Sequence, residues 1–339
     1  MPFLTKFRAW AQIACLLAFG VISFAQAPPA SQDTLLPPEN PPTALALPQD
    51  DTIRTRVDEV NVMFTVVNRA GKFVSNLSLS DLDVLDNQRA PERISYFQQQ
   101  SDLPLRVGLL LDLSSSVTGR FEYEKKAAIT FLQKVLRPDV DEAFLVGFAS
   151  NVNLLQDFTG DVGALSRAVR RMKLGGDTRL YDAIRFASAK LSTASGPPLM
   201  RRAIIIISDG EDTRSKTLMY DAIQSALHAE TVVLALSSND LTDREYPHGE
   251  AVLDLLTRPT GGGVLPAHSN SQIGRAFDKV KETLHNQYAI GYKPAEFKPD
   301  GRFHAIEIVA RAKRLRVQCR RGYFARREDQ ESAFHATAP

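Results

Sequence analysis

LLLDLSSSVTGR, residues 109–120, begins as an apolar run and then breaks into one aspartate, three serines, a threonine and a glycine. The run reaches back to Leu105, and residues 105–111 read as a strand buried on both faces. RAIIIIS (202–208) is a second and more continuous run, as expected of a central parallel strand. Around these two, short aliphatic segments alternate with helical ones from residue 104 to residue 286. The periodicity places helices at 121–136, ended by Pro138, and at 162–173, 180–191, 217–229, 249–256 and 271–285. Strands are expected at 142–148 and 152–158, close enough to form a hairpin, and at 231–236 and 263–265. Strands alternating with helices argue for a doubly wound α/β domain around a mostly parallel sheet.

The flanks have a different period. In VDEVNVMFTVV (57–67), Val60, Val62, Phe64 and Val66 alternate as on a half-buried strand, followed by a turn at 68–72. Strand-like pieces recur at 82–85 and 93–97, separated by a turn at 86–88. After His285, QYAIGY, HAIEIVA and LRVQC return to strand character, with a turn at 298–301. The first flank is too small to be comfortable alone. The ends of an α/β domain can lie close together, so the two flanks are expected to pair into one small β module. The resulting division is an N-terminal β segment at 53–103, the α/β domain at 104–286, a C-terminal β segment at 287–326 and a flexible tail at 327–339.

Lys6 and Arg8 precede AQIACLLAFGVISFA (11–25), an apolar stretch too short to span a bilayer comfortably and ending in small residues. Residues 1–25 read as a signal peptide cleaved after Ala25, with Ser23 at the −3 position; an uncleaved anchor is the alternative. Cleavage would leave no integral membrane span and place the chain in the periplasm, the cell envelope or outside the cell. Cys15 lies in QIAC, where Gln12 replaces the aliphatic residue of a lipoprotein box. Residues 26–52 carry Pro28, Pro29, Pro37, Pro38, Pro41, Pro42 and Pro48, a disordered, extended spacer.

Removal of the signal leaves Cys319 as the lone cysteine, so no internal disulfide can form and its thiol reads as buried and inert. The formal charge of +2 falls to about zero with Lys6 and Arg8 gone, which gives no general attraction to nucleic acid. Eight basic residues do fall in RAKRLRVQCRRGYFARR (311–327). Their alternation with Leu315, Val317 and Cys319 suggests the solvated face of a strand.

Three separated pieces carry the chemistry. Asp112-Leu113-Ser114-Ser115-Ser116 follows the first strand of the α/β domain, Gly175-Gly176-Asp177-Thr178 precedes a helix, and Ser208-Asp209-Gly210 follows the central strand. Open α/β sheets gather ligands outside the carboxyl ends of their strands, at the point where strand order reverses. If the two apolar strands are neighbours there, Asp112 and Asp209 face one crevice. Two carboxylates alone would repel, and a divalent cation between them relieves that repulsion. Ser114, Ser116 and Thr178 add uncharged oxygens, which suit hard cations such as magnesium or manganese. The lack of Cys and His in the set argues against zinc.

Together these pieces resemble the metal-ion-dependent adhesion site (MIDAS) of the von Willebrand factor type A (VWA) domain, a Rossmann-like fold. Its pattern is D-x-S-x-S, then a threonine, then an aspartate. Asp112, Ser114, Ser116, Thr178 and Asp209 fill every position. The resemblance implies that both serines coordinate the metal directly, Thr178 directly or through water, and the aspartates largely through water. The ion would be magnesium, or manganese or calcium. Mostly neutral oxygens would leave it electropositive enough to recruit an acidic side chain from a partner protein. The flanks, VNVMFTVVNRAGKFVSNLSLSDLDVLDNQ before the domain and YAIGYKP, GRFHAIEI and RRGYFA after it, are similar to those of the VWFA-related family abundant in acidobacterial genomes. Members of that family are secreted or envelope proteins with the order signal, spacer, β segment, VWA domain and closing β segment.

The reading that follows is a metal-dependent adhesion or assembly protein, not an enzyme. A structural envelope scaffold whose metal site is secondary is the alternative. A hydrolase is the third possibility, but G-x-S-x-G, H-E-x-x-H and P-loop patterns are missing, and no serine has a triad assigned by sequence. His248 and His268 are expected in loops on the face of the site, where they would shape partner selectivity or simply be solvated. Glu211, Asp212 and Asp177 either add charge around the metal or serve turns and helix starts.

Overall fold

The computed structural model describes residues 59–100, 103–197, 200–239 and 247–325. The signal segment with Cys15, the proline-rich spacer and the tail beyond Ala325 lie outside the described residues. The first flank supplies β1 (Val60–Asn68), β2 (Leu82–Asp86) and β3 (Arg93–Gln100). The α/β part then runs β4 (Leu105–Asp112), α1 (Phe121–Val135), β5 (Glu142–Phe148), β6 (Val152–Thr159), α2 (Val162–Arg171) and α3 (Leu180–Ser192). It continues through β7 (Arg201–Ser208), α4 (Met219–His228), β8 (Thr231–Ser237), α5 (Pro247–Thr257), β9 (Gly263–Pro266) and α6 (Asn270–His285). The second flank supplies β10 (Gln287–Lys293), β11 (Phe303–Ala310), β12 (Leu315–Cys319) and β13 (Gly322–Phe324).

Six strands form the central sheet in the order β6-β5-β4-β7-β8-β9. All pairs are parallel except the edge pair of β5 and β6. The sheet is covered on both faces, as the unbroken apolar runs of β4 and β7 require. Leu105, Val107, Leu109 and Leu111 join one core with α1, α2 and α6, whereas Leu110, Ile204 and Ile206 join another with α3, α4 and α5. Ile204 through Ile207 are at most 1% exposed, and each such side chain contributes roughly 1.5–3 kcal/mol by leaving water. The chain leaves β4 through α1 on one face and β7 through α4 on the other. The order of the sheet therefore reverses between these two strands, and their carboxyl ends open a crevice between Asp112 and Asp209.

The flanks pair with each other. One antiparallel sheet has the order β12-β1-β10-β3 and another the order β13-β11-β2, so every strand of the first flank has a partner from the second. Val60, Val62, Phe64 and Val66 pack with Tyr288, Ile290, Tyr292, Ile306 and Ile308 in one core. β11 alternates exposed and buried residues along its whole length, as a strand with one solvated face does. Cys319 in β12 is partly buried, and burial pushes its thiol up to about 11, so little thiolate forms at neutral pH. Among the described residues no helix is long and apolar enough to cross a membrane.

Candidate metal centre

β4 ends at Asp112 because the chain beyond Leu113, three serines followed by Val117, Thr118 and Gly119, turns the backbone rather than continuing the ladder. Asp112 is fully buried. Its Oδ1 accepts a hydrogen bond from the Ser114 backbone N–H at 2.9 Å and its Oδ2 accepts from Ser208 Oγ at 2.7 Å. The second bond crosses from β4 to the last residue of β7. Ser114 Oγ and Ser116 Oγ are 2.9 Å apart, and Ser116 Oγ donates to Asp209 Oδ2 at 2.7 Å. A continuous chain of hydrogen bonds thus links Asp112, Ser114, Ser116 and Asp209. Thr118 closes the turn, its Oγ1 donating to the Ser115 carbonyl at 2.7 Å.

Thr178 shares no hydrogen bond with those four. Backbone stitching brings it to them. Ser115 N–H donates to the Gly176 carbonyl, Gly175 N–H to the Leu113 carbonyl, and the N–H groups of Thr213 and Arg214 both donate to the Thr178 carbonyl. Thr178 N–H in turn donates to Thr213 Oγ1 at 2.9 Å, and the residue is 3% exposed. Gly210 holds φ at +88°, and a Cβ there would sit 2.3 Å from the Gly249 carbonyl oxygen. Only glycine meets both demands, so the loop of Asp209 can lie against the start of α5.

Burial dominates the electrostatics. It pushes the Asp112 carboxyl up to about 6, the hydrogen bonds from Ser114 and Ser208 opposing and the nearby Asp209 charge assisting. A third buried carboxylate lies near the pair. Glu124 on α1 is 1% exposed, and neither of its oxygens accepts a hydrogen bond. Burial first, and then the Asp112 charge, push it up to about 8. Arg120, at the start of α1, holds Nη2 3.6 Å from Asp209 Oδ2 and Nε 3.9 Å from Glu124 Oε1.

Arg120 and Glu124 were not among the residues singled out from sequence. A signal was present: the buried residues of α1 include Phe121, Glu124, Ala128, Phe131 and Val135, so Glu124 sits on the helix's apolar stripe. Ser208 was quoted with Asp209 and Gly210 but given no role of its own, although its hydroxyl bonds Asp112 and also accepts from the Gly210 N–H at 3.0 Å.

The remaining candidates serve the frame. Asp212 accepts from the Tyr181 N–H at 3.0 Å at the first turn of α3, and from the Ser215 N–H. Asp177 pairs with Arg214 on the surface at 3.1 Å. His248 is not in a loop: α5 begins at Pro247, because proline's missing N–H costs nothing at a helix start, and His248 is exposed in its first turn. His268 does lie in the loop between β9 and α6, with Nδ1 buried and without a hydrogen-bond partner.

The donor set fits a hard divalent cation better than a soft one. Among the described residues no three His, Cys, Asp or Glu side chains converge as a metal-holding group. Any cation here would rely on hydroxyl oxygens together with Asp112 and Asp209, a set suited to magnesium or manganese.

Residues 107–211 match the von Willebrand factor type A domain. The match runs from β4 to just past β7 and contains Asp112, Ser114, Ser116, Thr178 and Asp209. The mostly parallel, doubly wound sheet is that of the VWA fold. A solved VWA structure from Catenulispora acidiphila is 14% identical, with a TM-score of 0.45, over 74% of this chain and 75% of that one. A conserved hypothetical protein, BatB, from Bacteroides thetaiotaomicron is 18% identical, with a TM-score of 0.44, over 53% of this chain and 98% of its own. An aerotolerance-related membrane protein from Bacteroides fragilis is 19% identical, with a TM-score of 0.42, over 52% and 99%. No curated protein matches the chain.

Proposed function

We propose that this chain is an exported, non-enzymatic protein that binds another protein through a divalent cation at the crevice of its VWA-type domain. VWA domains commonly mediate protein–protein interactions, and the metal, the export and the adhesion role are the further content of this reading. Asp112, Ser114, Ser116, Thr178 and Asp209 would hold the ion, magnesium for preference. When bound, the cation supplies a Lewis-acidic position that an acidic side chain of the partner can occupy.

The observation that carries the reading is the meeting of two almost fully buried aspartates with two serine hydroxyls at the switch point of the sheet. Asp112 is 0% and Asp209 1% exposed, a costly arrangement for two neighbouring carboxylates unless a cation joins them. The serine hydroxyls contact each other and Asp209, and among the described residues neither meets a histidine that could activate it. That favours binding over hydrolysis. Export rests on the N-terminal apolar stretch and the proline-rich segment after it.

The test is titration calorimetry of the full chain with magnesium, alongside Asp112→Asn and Asp209→Ala. A single site in the parent that is lost in both variants is expected. Equal heats in all three would overturn the reading. Recovery of a partner from envelope extract should then require magnesium and fail with Asp209→Ala; recovery that survives chelation would favour the scaffold instead.

A further inference from the structure

Arg120 is a fixed positive charge in the wall of the candidate cation site. It lies just beyond the serine turn, its backbone N–H donating to the Val117 carbonyl at 2.9 Å and its carbonyl accepting from the Glu124 N–H. Its side chain is 30% exposed and reaches Asp209 Oδ2, the oxygen that also accepts from Ser116. At 3.6 Å to Asp209 and 3.9 Å to Glu124, both contacts are longer than a hydrogen bond. The Arg120 Nε is buried without a hydrogen-bond partner, and so are both Glu124 oxygens. The guanidinium therefore stands between two acceptors, one at the rim and one inside, and saturates neither.

We propose that Arg120 is a built-in competitor for the divalent cation, giving up Asp209 for Glu124 when Asp209 turns to the metal. The proposal rests on the reading of the Asp112 to Asp209 constellation as a cation site. A guanidinium beside a carboxylate lowers that carboxylate's attraction for any second cation, and does so strongly where water is excluded. Left alone, this would simply weaken the site. Glu124, one helical turn along α1, changes the outcome, because its buried carboxyl offers the guanidinium a second oxygen acceptor, already 3.9 Å from Nε. The charge that leaves the site then brings a donor to a buried carboxyl that the nearby Ser238 hydroxyl leaves unsatisfied. Arg120 sets how much cation is needed to load the site, and Glu124 limits that threshold.

The experiment is manganese binding to the full chain, read as loss of the free-ion electron paramagnetic resonance signal at one pH and ionic strength. The proteins compared are the parent, Arg120→Gln, Arg120→Lys, Glu124→Gln and the Arg120→Gln/Glu124→Gln double variant, with Arg120→Ala in reserve. Arg120→Gln should bind manganese about tenfold more tightly, whereas Arg120→Lys, which keeps the charge, should stay within about twofold of the parent. Glu124→Gln should weaken binding about fivefold when Arg120 is present and less than about twofold when it is not, the coupling that a double-mutant cycle isolates. Equal or weaker binding by both Arg120→Gln and Arg120→Ala overturns the competitor role. An equal effect of Glu124→Gln in both backgrounds overturns the exchange. If the parent and every variant fail to bind manganese, the cation-site reading falls and the proposal with it. A parent that binds beside an unchanged Arg120→Gln leaves the site standing and removes only the competitor.

Discussion

Ser116 Oγ donates to Asp209 Oδ2 at 2.7 Å, joining the turn after β4 to the turn after β7 across 93 residues of sequence. This bond gives the buried Asp209 carboxylate a side-chain donor, and the same hydroxyl is a candidate metal ligand. Ser116→Ala should lower stability by about 1–2 kcal/mol without added cation, since a buried acceptor loses its donor. It should also abolish the rise in thermal midpoint that magnesium produces in the parent. That rise corresponds to roughly 2.7 kcal/mol when magnesium is at a hundred times its dissociation constant. Thermal unfolding of both proteins with magnesium and with chelator checks the two effects together, and a full magnesium response in Ser116→Ala would exclude the serine as a ligand.

Glu124 and Asp112 give the metal-free protein an unusual dependence on pH. Burial raises Glu124 from 4.5 to about 8 and Asp112 from 3.8 to about 6, so across these windows the folded state holds more protons than the unfolded chain. Stability rises with pH only where the unfolded state holds more, and here it must fall as pH climbs from about 4 to about 8. Glu124→Gln removes the larger part of this loss. The variant should match the parent near pH 5 and exceed it near pH 8 by roughly 1–3 kcal/mol, measured by denaturant unfolding in chelator. A constant difference between the two proteins across that range would show that Glu124 is not raised.

Gly210 tests whether backbone geometry alone can disable the crevice. Its φ of +88° is costly for any other residue, and a Cβ would meet the Gly249 backbone oxygen at 2.3 Å. Gly210→Ala should cost about 2–4 kcal/mol, because it combines a disfavoured φ with a clash against backbone. It should weaken magnesium binding although no ligand has changed. Alanine tolerated with an unaltered melting temperature would mean that the loop of Asp209 is not pinned against α5.

Much of this architecture could be read from sequence because it rests on local signals. The apolar runs of β4 and β7 could belong only to strands covered on both faces, and D-x-S-x-S at the end of one of them marked the crevice. Thr178 was placed by pattern, yet what holds it there is a set of backbone bonds, from Ser115 to Gly176 and from Thr213 and Arg214 to Thr178, that no spacing reveals. The turn after β2 is a similar case. Asn87 and Gln88 take positive φ, as in a tight hairpin, but β2 and β3 join different sheets, because their partners come from the far end of the chain. Arg120 and Glu124 escaped notice for a simpler reason: charged residues at the start of a helix usually face water, and only the packing of α1 against the sheet buries Glu124.

Asp141 anchors the opposite end of the sheet. Its buried carboxylate accepts from the Leu105 N–H, the Arg137 N–H, and the Nε and Nη2 of Arg137, all at 2.9 Å. Burial opposes its ionisation, but the hydrogen bonds from Arg137 and Leu105, with the His285 ring 3.9 Å away, outweigh that and hold the carboxyl well below the usual range. A depressed carboxyl stabilises the fold above its unfolded value near 4 and loses that contribution as pH falls below it. Asp141→Ala should cost about 3–5 kcal/mol at pH 7, because it removes the buried charged acceptor shared by the start of β4 and the Arg137 side chain. The penalty should shrink on acidification toward pH 2. A penalty independent of pH would assign the loss to packing rather than to the ionised group.

β1 lies between β10 and β12, both drawn from the last 53 residues of the chain, so the first flank has no sheet of its own to fold into. Phe64 stacks on Tyr288 with ring centroids 5.6 Å apart, and Tyr292 OH donates to the buried Asp86 Oδ2 at 2.8 Å. Ending the chain after Asn286 removes these contacts together. It leaves Val62, Phe64 and Val66 exposed on an unpaired strand, a state that resists neither protease nor aggregation. Limited proteolysis should then cut within residues 59–100 while fragments of the α/β part persist. Tyr292→Phe, which keeps the ring and deletes only the hydroxyl, should cost about 1–2 kcal/mol with the module intact. Resistance of residues 59–100 in the shortened chain would mean that β1, β2 and β3 find their order without β10 and β12, and the single core shared by both flanks would have to be abandoned.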